Sequence, residues 1–260
     1  MRIFDRRIAL LPALLTPFDR AGEINQVALN RLIDREIDEG CDGIYACGST
    51  SEVYLLSREE RMDLVEAIVR HVAGRVPVIA HVGSPSQREA CQLAEHAASC
   101  GVKAVSAVPP FYFHYTIAEI QSYYFAIASA AQLPVLLYNI PVFTGVSINN
   151  ENAGALLADP RILGVKHTDF NLYQLQQLKV HNPAKLILNC HEECMAGALA
   201  LGADGGIGSS FNCIGPIAYR LRDAYLAGDY EGASSIQNEM NVFTAGINAA
   251  GGFRAIKYMV

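Results

Sequence analysis

A lysine interrupts the apolar run of "RILGVKHTDF". Ile162, Leu163 and Val165 read as a short buried strand, then comes Lys166, followed by the polar His167, Thr168 and Asp169. A second "GVK" occupies residues 101–103 and ends in Lys103. An amine buried in an apolar mouth loses solvation of its charged form, which favours the free base. Such an amine attacks a ketone and forms a Schiff base, whose cationic nitrogen withdraws electrons from the neighbouring carbons. Breaking or making a carbon–carbon bond there also needs a proton shuttle, and Tyr138 of "LLYNIP" is a phenol of the right type. A keto acid needs its carboxylate held, and the backbone N–H groups of "GSTSE" (48–52) offer an anion-binding turn. "NCHEEC" (189–194) gathers two cysteines, a histidine and two carboxylates. Its spacing matches neither a C-x-x-C pair nor H-E-x-x-H, and consecutive side chains converge poorly on one ion, so a metal site is the weaker reading.

Something must bring these residues together. Along the chain, short apolar runs alternate with longer helical patterns: "IALLPALLTPF" before an amphipathic stretch from Asn25 to about Glu39, "GIYACGST" before "SREERMDLVEAIVRHV", and so on through "ADGGIGSS" and "IGPIAYRLRDAYLAG". The strands are almost continuously apolar, as in a parallel sheet covered on both faces. Three helices are predicted to open with a capping box, at Ser57 to Glu60, Ser86 to Glu89 and Thr116 to Glu119. Eight strand-then-helix units predict an α/β (β/α)8 TIM barrel, and no G-x-G-x-x-G follows the first strand to suggest a dinucleotide fold. Residues 1–260 read as a single barrel domain, with about 229–260 as an additional C-terminal helical segment outside the barrel count.

In such barrels the C-terminal strand ends line the active site. Lys103 precedes its apolar run and falls at the bottom of the fourth strand, whereas Lys166 follows its run and falls at the top of the sixth. The same strand tops carry Ser49 and Thr50, Tyr112, Tyr138, Thr168, Glu192, Glu193 and Ser209.

The 260 residues carry a formal charge of −6, with no basic stripe interleaved with aromatics, which argues against nucleic acid or an anionic membrane as partner. The N-terminal apolar stretch, about ten residues, is far short of the roughly 20 that a membrane span needs. Seven cysteines without paired spacing suit reduced thiols in the cytoplasm better than a disulfide framework.

Together these motifs resemble the pyruvate-dependent class I aldolase family that contains N-acetylneuraminate lyase and dihydrodipicolinate synthase. "GSTSE" matches the family's G-[ST]-T-G-E, "LLYNIP" its Y-N-x-P and "GVKHT" its G-x-K-x-[ST], in order and along essentially the whole chain. "YNIP", "GVKHTDFNLYQL" and "GADGGIGSSFN" are most similar to the sialic acid lyase branch. The resemblance implies reversible cleavage of N-acetylneuraminate to N-acetylmannosamine and pyruvate. Lys166 would then be the Schiff-base lysine and Tyr138 the proton shuttle. Ser49 and Thr50 would hold the pyruvate carboxylate, with Thr50 also linked to Tyr138. Tyr112 would approach the site of a neighbouring subunit in a homo-oligomer, a tetramer by family likeness. Thr168, Glu192, Glu193 and Ser209 would grip the polyhydroxylated tail of the open-chain sugar acid. No metal or organic cofactor would be needed, since the imine is the electron sink.

Departures from the pattern set limits. Ser51 replaces the usual glycine of the turn, Cys190 replaces a glycine, and Glu192 stands where an aspartate is usual. These changes point to altered backbone near the carboxylate and a smaller tail pocket. Phe143 lies where dihydrodipicolinate synthases carry an arginine, so aspartate semialdehyde would lack a partner for its carboxylate. Relatives continue past the position of Val260, so the chain is either truncated or reduced in its outer helical layer. The alternatives left open are another 2-keto-3-deoxy sugar acid aldolase or a dihydrodipicolinate synthase-like enzyme of the same family, a non-catalytic binding barrel, and a metal-dependent hydrolase built on "NCHEEC".

Overall fold

The computed structural model describes residues 3–260. Eight parallel strands form the sheet: β1 (Ala9–Pro12), β2 (Ile44–Ala46), β3 (Val78–His81), β4 (Ala104–Ala107), β5 (Val135–Asn139), β6 (Ile162–His167), β7 (Leu186–Asn189) and β8 (Gly205–Gly208). Neighbours run in the order β1-β8-β7-β6-β5-β4-β3-β2. The seam between β1 and β2 is drawn together by Asp42 N–H donating to Leu10 O at 3.0 Å and Leu14 N–H donating to Tyr45 O at 2.9 Å. Arg222, buried beside this seam, pairs with Asp42 at 2.6 Å, and the same carboxylate accepts from Leu10 N–H.

Helices alternate with the strands: α1 (Gln26–Asp38), α2 (Arg58–Val72), α3 (Gln87–Cys100), α4 (Ile117–Ala131), the one-turn α5 (Pro141–Thr144), α6 (Asn150–Ala158), α7 (Leu172–His181), α8 (Met195–Ala200) and α9 (Phe211–Leu226). Beyond the barrel count lies α10 (Tyr230–Ala249), as expected, and then a separate α11 (Phe253–Met259). The expected capping boxes at Ser57 and Thr116 are complete. At α3 only half forms: Ser86 Oγ accepts from Glu89 N–H, but the Glu89 carboxylate is taken by Ser84 Oγ, so it does not return to Ser86.

Two cores result from strand alternation. Leu11, Tyr45, Ile79, Leu136, Tyr138, Leu188 and Ile207 pack inside the barrel, while Leu10, Ile44, Val105, Leu137, Val165 and Ile187 face the helices. One irregularity decides the chemistry. Val135 pairs with Ile162, but the next residue, Leu136, pairs with Gly164, so β6 carries one extra residue. Ile162 faces out and Leu163 faces in. Strict alternation would send Val165 inward and Lys166 outward. The bulge reverses this, leaving Val165 outside and Lys166 level with Tyr138. Gly164 permits it: φ is +158°, and a Cβ there would lie 1.8 Å from Leu186 O.

Glu36 of α1 is a buried carboxyl with a stability consequence. Burial pushes it up to about 8, against a partial offset from Arg35, and Oε2 has no hydrogen-bond partner among the described residues. The folded chain therefore holds a proton that the unfolded chain releases at a lower pH. This contribution is full below the ordinary value of 4.5 and is lost as pH rises towards about 8. Glu36→Gln is expected to stabilise the protein by roughly 4 kcal/mol near pH 8 and by almost nothing near pH 4.5, read from urea midpoints at the two pH values.

Candidate active site

Tyr138 and Lys166 are register partners on β5 and β6, and Lys166 is also level with Leu188 on β7. Both side chains enter the barrel from its C-terminal end. Lys166 is only 4% exposed. Its Nζ lies 3.3 Å from the Tyr138 ring centroid and 4.5 Å from that of Tyr45. Among the described residues, the lysines that form ion pairs are Lys179 and Lys257, so no carboxylate neutralises Lys166.

The aromatic floor is fixed from below. Tyr45 packs edge-on to Tyr138, with centroids 6.1 Å apart, and donates its O–H to Ser106 Oγ at 3.0 Å. Burial holds the Tyr45 phenol well above its ordinary value, so it stays a donor. His81 packs against Tyr138 from the other side. Burial, with the charges of Arg61 and Lys166, holds its imidazole well below the usual range. The neutral ring donates from Nδ1 to Cys47 O at 3.1 Å and accepts from Val108 N–H at Nε2, 3.3 Å away. Neither Tyr45 nor His81 emerges from sequence motifs. Only their inward places on β2 and β3 mark them.

Facing outward at the same level, Asn139 and His167 lock the two strands. Asn139 Nδ2 donates to His167 Nδ1 at 3.1 Å, and His167 Nε2 donates to Asn171 O at 3.2 Å. Burial lowers the His167 imidazole, which keeps Nδ1 free to accept.

The "GSTSE" turn forms the next wall. A single 3-10 turn spans Ser49–Ser51, and the N–H groups of Ser49 and Thr50 have no partner among the described residues. Ser49 Oγ lies 3.4 Å from Tyr138 O–H, whereas Thr50 Oγ1 bonds Ser209 Oγ at 2.6 Å. The expected link from Thr50 to Tyr138 is thus made by Ser49 instead, because the turn aims Thr50 across the mouth to Ser209, just past the end of β8. Ser51 fits without a left-handed backbone. Its hydroxyl is spent on Leu14 O at 2.6 Å, and the left-handed residues are its neighbours Cys47 and Glu52.

Opposite lie Thr168, Cys190, Glu192, Glu193 and Ser209, lining one cavity of about 450 Å³ with Ser49, Thr50, Tyr138 and Lys166. That volume suits a small polyhydroxylated ligand. Thr168 Oγ1 and Glu193 Oε2 are buried without hydrogen-bond partners among the described residues. Contact with His191 holds the Glu193 carboxyl below its ordinary value, so it is an acceptor. Glu192 differs. One of its oxygens already accepts from Ser210 N–H and Oγ, at 2.8 and 3.1 Å, and burial raises its carboxyl. Within "NCHEEC" the side chains diverge: His191 stacks on Phe170 at 3.7 Å, and Cys194 Sγ donates to His191 O. No three metal-ligating groups converge among the described residues.

The third wall is one that strand-end reasoning misses. Thr244, Ile247 and Asn248 of α10, with Phe253 and Ile256 of α11, line the cavity. Nothing in the periodicity distinguishes these residues from an outer helix. Phe143 stands between the cavity and an adjoining apolar recess walled by Val53, Tyr54 and Phe111. Tyr112 lies outside the cavity, 88% exposed, so it is not brought to the site within this chain. Lys103 is exposed at the opposite end of the barrel, before β4.

Comparison with known proteins bears on the family and the fold. The dihydrodipicolinate synthetase family model matches residues 7–260. N-acetylneuraminate lyase of Citrobacter koseri is 38% identical over 249 residues, covering 95% of this chain and 84% of the relative. The enzyme of that name from Escherichia coli strain SMS-3-5 is 36% identical over the same shares. A Clostridium difficile structure in complex with mannosamine superposes with a TM-score of 0.94 at 34% identity, covering 97% of this chain and 87% of the other. N-acetylneuraminate lyase from Fusobacterium nucleatum gives 0.92 at 33% identity, covering 96% and 86%.

Proposed function

Since the chain belongs to the dihydrodipicolinate synthetase family, we propose that it is a class I aldolase cleaving N-acetylneuraminate reversibly to N-acetylmannosamine and pyruvate, with Lys166 as its Schiff-base residue. The observation that carries this reading is the register pairing of Lys166 with Tyr138 at the floor of the cavity. In the open-chain substrate, the Lys166 amine attacks C2 and, with one proton taken from solvent, the carbonyl oxygen leaves as water, giving an iminium. Tyr138 takes the proton of the C4 hydroxyl while passing its own through Ser49 to solvent, as the C3–C4 bond breaks. The aldehyde departs, and the electron pair passes through C3 to the iminium nitrogen as an enamine. Protonation at C3 and hydrolysis return pyruvate and the free amine. Ser49, within reach of the Tyr138 O–H, is the neighbour for the travelling proton. The free N–H groups of Ser49 and Thr50 suit the substrate carboxylate.

The sugar tail then lies along Thr168, Glu192, Glu193 and Ser209. Glu193, whose Oε2 faces His191 Nδ1 at 3.7 Å and accepts no hydrogen bond among the described residues, supplies the stronger acceptor for tail hydroxyls, because Glu192 is partly spent on Ser210. Glu193→Gln is expected to raise KM for N-acetylneuraminate by about tenfold while leaving pyruvate binding unchanged, as steady-state kinetics beside pyruvate trapping will read. In this reading residues 1–260 act as one domain, and the protein assembles as a homo-oligomer, tetrameric by family likeness. The exposed Leu55, Tyr112 and Phe113 support assembly, and light scattering tests it. Seven free cysteines support a reducing cytoplasm. Among the described residues no helix is long and apolar enough to cross a membrane.

The test is chemical trapping. Incubation with pyruvate and borohydride followed by peptide mapping is expected to place one adduct on Lys166. An adduct on Lys103, or none, would overturn the assignment.

A further inference from the structure

The turn that faces the substrate carboxylate is flanked on both sides by non-glycine residues in the left-handed region, Cys47 at φ +57° and Glu52 at φ +56°. Such backbone is costly for residues with a Cβ and persists only where surrounding contacts hold it. The restraints on the Cys47 side are internal to the barrel: His81 donates to Cys47 O. The middle of the turn is held from β1's loop, with Ser51 Oγ donating to Leu14 O and Thr16 Oγ1 donating to Ser51 O at 3.1 Å.

The Glu52 side is held from outside the barrel. Its carboxylate is paired with the ammonium of Lys257 on α11, and Lys257 Nζ also sits 4.2 Å from the Phe18 ring centroid. Both charged side chains keep about a third of their surface exposed, so the pair is a modest contributor to folding. Its placement matters more. Phe253 and Ile256 of α11 line the cavity itself, and the helix is entered through Gly252, whose φ of +62° with ψ of −122° suits glycine alone. One helix therefore both walls the substrate cavity and grips the last residue of the carboxylate turn.

We propose that Lys257 is a positioning residue for carboxylate recognition: by holding Glu52 it sets the free N–H groups of Ser49 and Thr50 at the distance the carboxylate of the 2-oxo acid requires. The inference rests on the aldolase reading, which assigns a carboxylate to that turn. Lys257 is not among the residues lining the cavity that holds Lys166, so its loss acts on carboxylate affinity and leaves the Schiff-base chemistry in place.

The test compares borohydride trapping on Lys166 with pyruvate and with hydroxyacetone, a ketone without a carboxylate. Lys257→Met, which keeps the stem and removes the charge, is expected to raise the half-saturating pyruvate concentration about fivefold and leave that of hydroxyacetone unchanged. Lys257→Arg is expected to restore the wild-type value. Glu52→Gln approaches the same pair from the other partner and is expected to match Lys257→Met, with the double variant no worse than either alone. Should Lys257→Met fail to fold, Glu52→Gln carries the comparison. Equal shifts for both ketones, or the same half-saturating pyruvate in every variant while the wild type is trapped, would overturn the role of Lys257. Absence of any adduct in the wild type would instead remove the aldolase reading, and this proposal with it.

Discussion

Lys166→Met is expected to take up no pyruvate adduct on borohydride treatment and to lose roughly 10⁴-fold or more of its cleavage activity, since among the described residues no other amine lines the cavity to replace the nucleophile. The fold should survive. Lys166 is almost fully buried without a carboxylate partner among the described residues, and replacing it with an apolar side chain of similar length removes a desolvated amine at no cost in packing. A thermal midpoint equal to or above that of the wild type, together with lost trapping, separates loss of chemistry from loss of structure. Residual cleavage within tenfold of the wild type would show that the amine is not the nucleophile.

Tyr138→Phe separates the two halves of the reaction. The ring that packs under Lys166 Nζ and against Tyr45 and His81 is kept, and only the O–H beside Ser49 is lost. Trapping with pyruvate should therefore still label Lys166. Cleavage and the reverse condensation are expected to fall by about 10²- to 10³-fold, the range for losing one positioned acid–base group. Equal losses in trapping and in cleavage would mean that the phenol serves only to shape the floor.

Much of this site can be read from the chain before folding. Eight apolar runs, each followed by a helical pattern, specify a barrel, because a parallel strand needs a crossover and both sheet faces must be covered. A barrel in turn gives its strand ends unequal roles, which separates Lys166 from Lys103 although both end the same tripeptide. "GSTSE", "LLYNIP" and "GVKHT" could be placed at one mouth by that reasoning alone, and the structure brings Ser49, Thr50, Tyr138, Lys166 and Thr168 to one cavity.

Other features depend on contacts between residues far apart in the sequence. Counting alternation along "ILGVKH" sends Lys166 towards the helices. Only the extra residue in β6, allowed where Gly164 meets Leu186 O, turns it inward beside Tyr138. The exchange of partners between Ser49 and Thr50 depends on how the 3-10 turn crosses the mouth towards Ser209, just past the end of β8. Tyr45, His81 and the α10–α11 wall carry no motif, because what qualifies them is the direction of a side chain and the docking of a late helix. Residue types and order along the chain thus determined the barrel, the mouth and the pair of groups able to do the chemistry. The inward turn of the lysine, the hydroxyl that reaches the tyrosine and the helix that closes the cavity were decided by tertiary structure, since register, bulges and helix docking are set by packing across the fold.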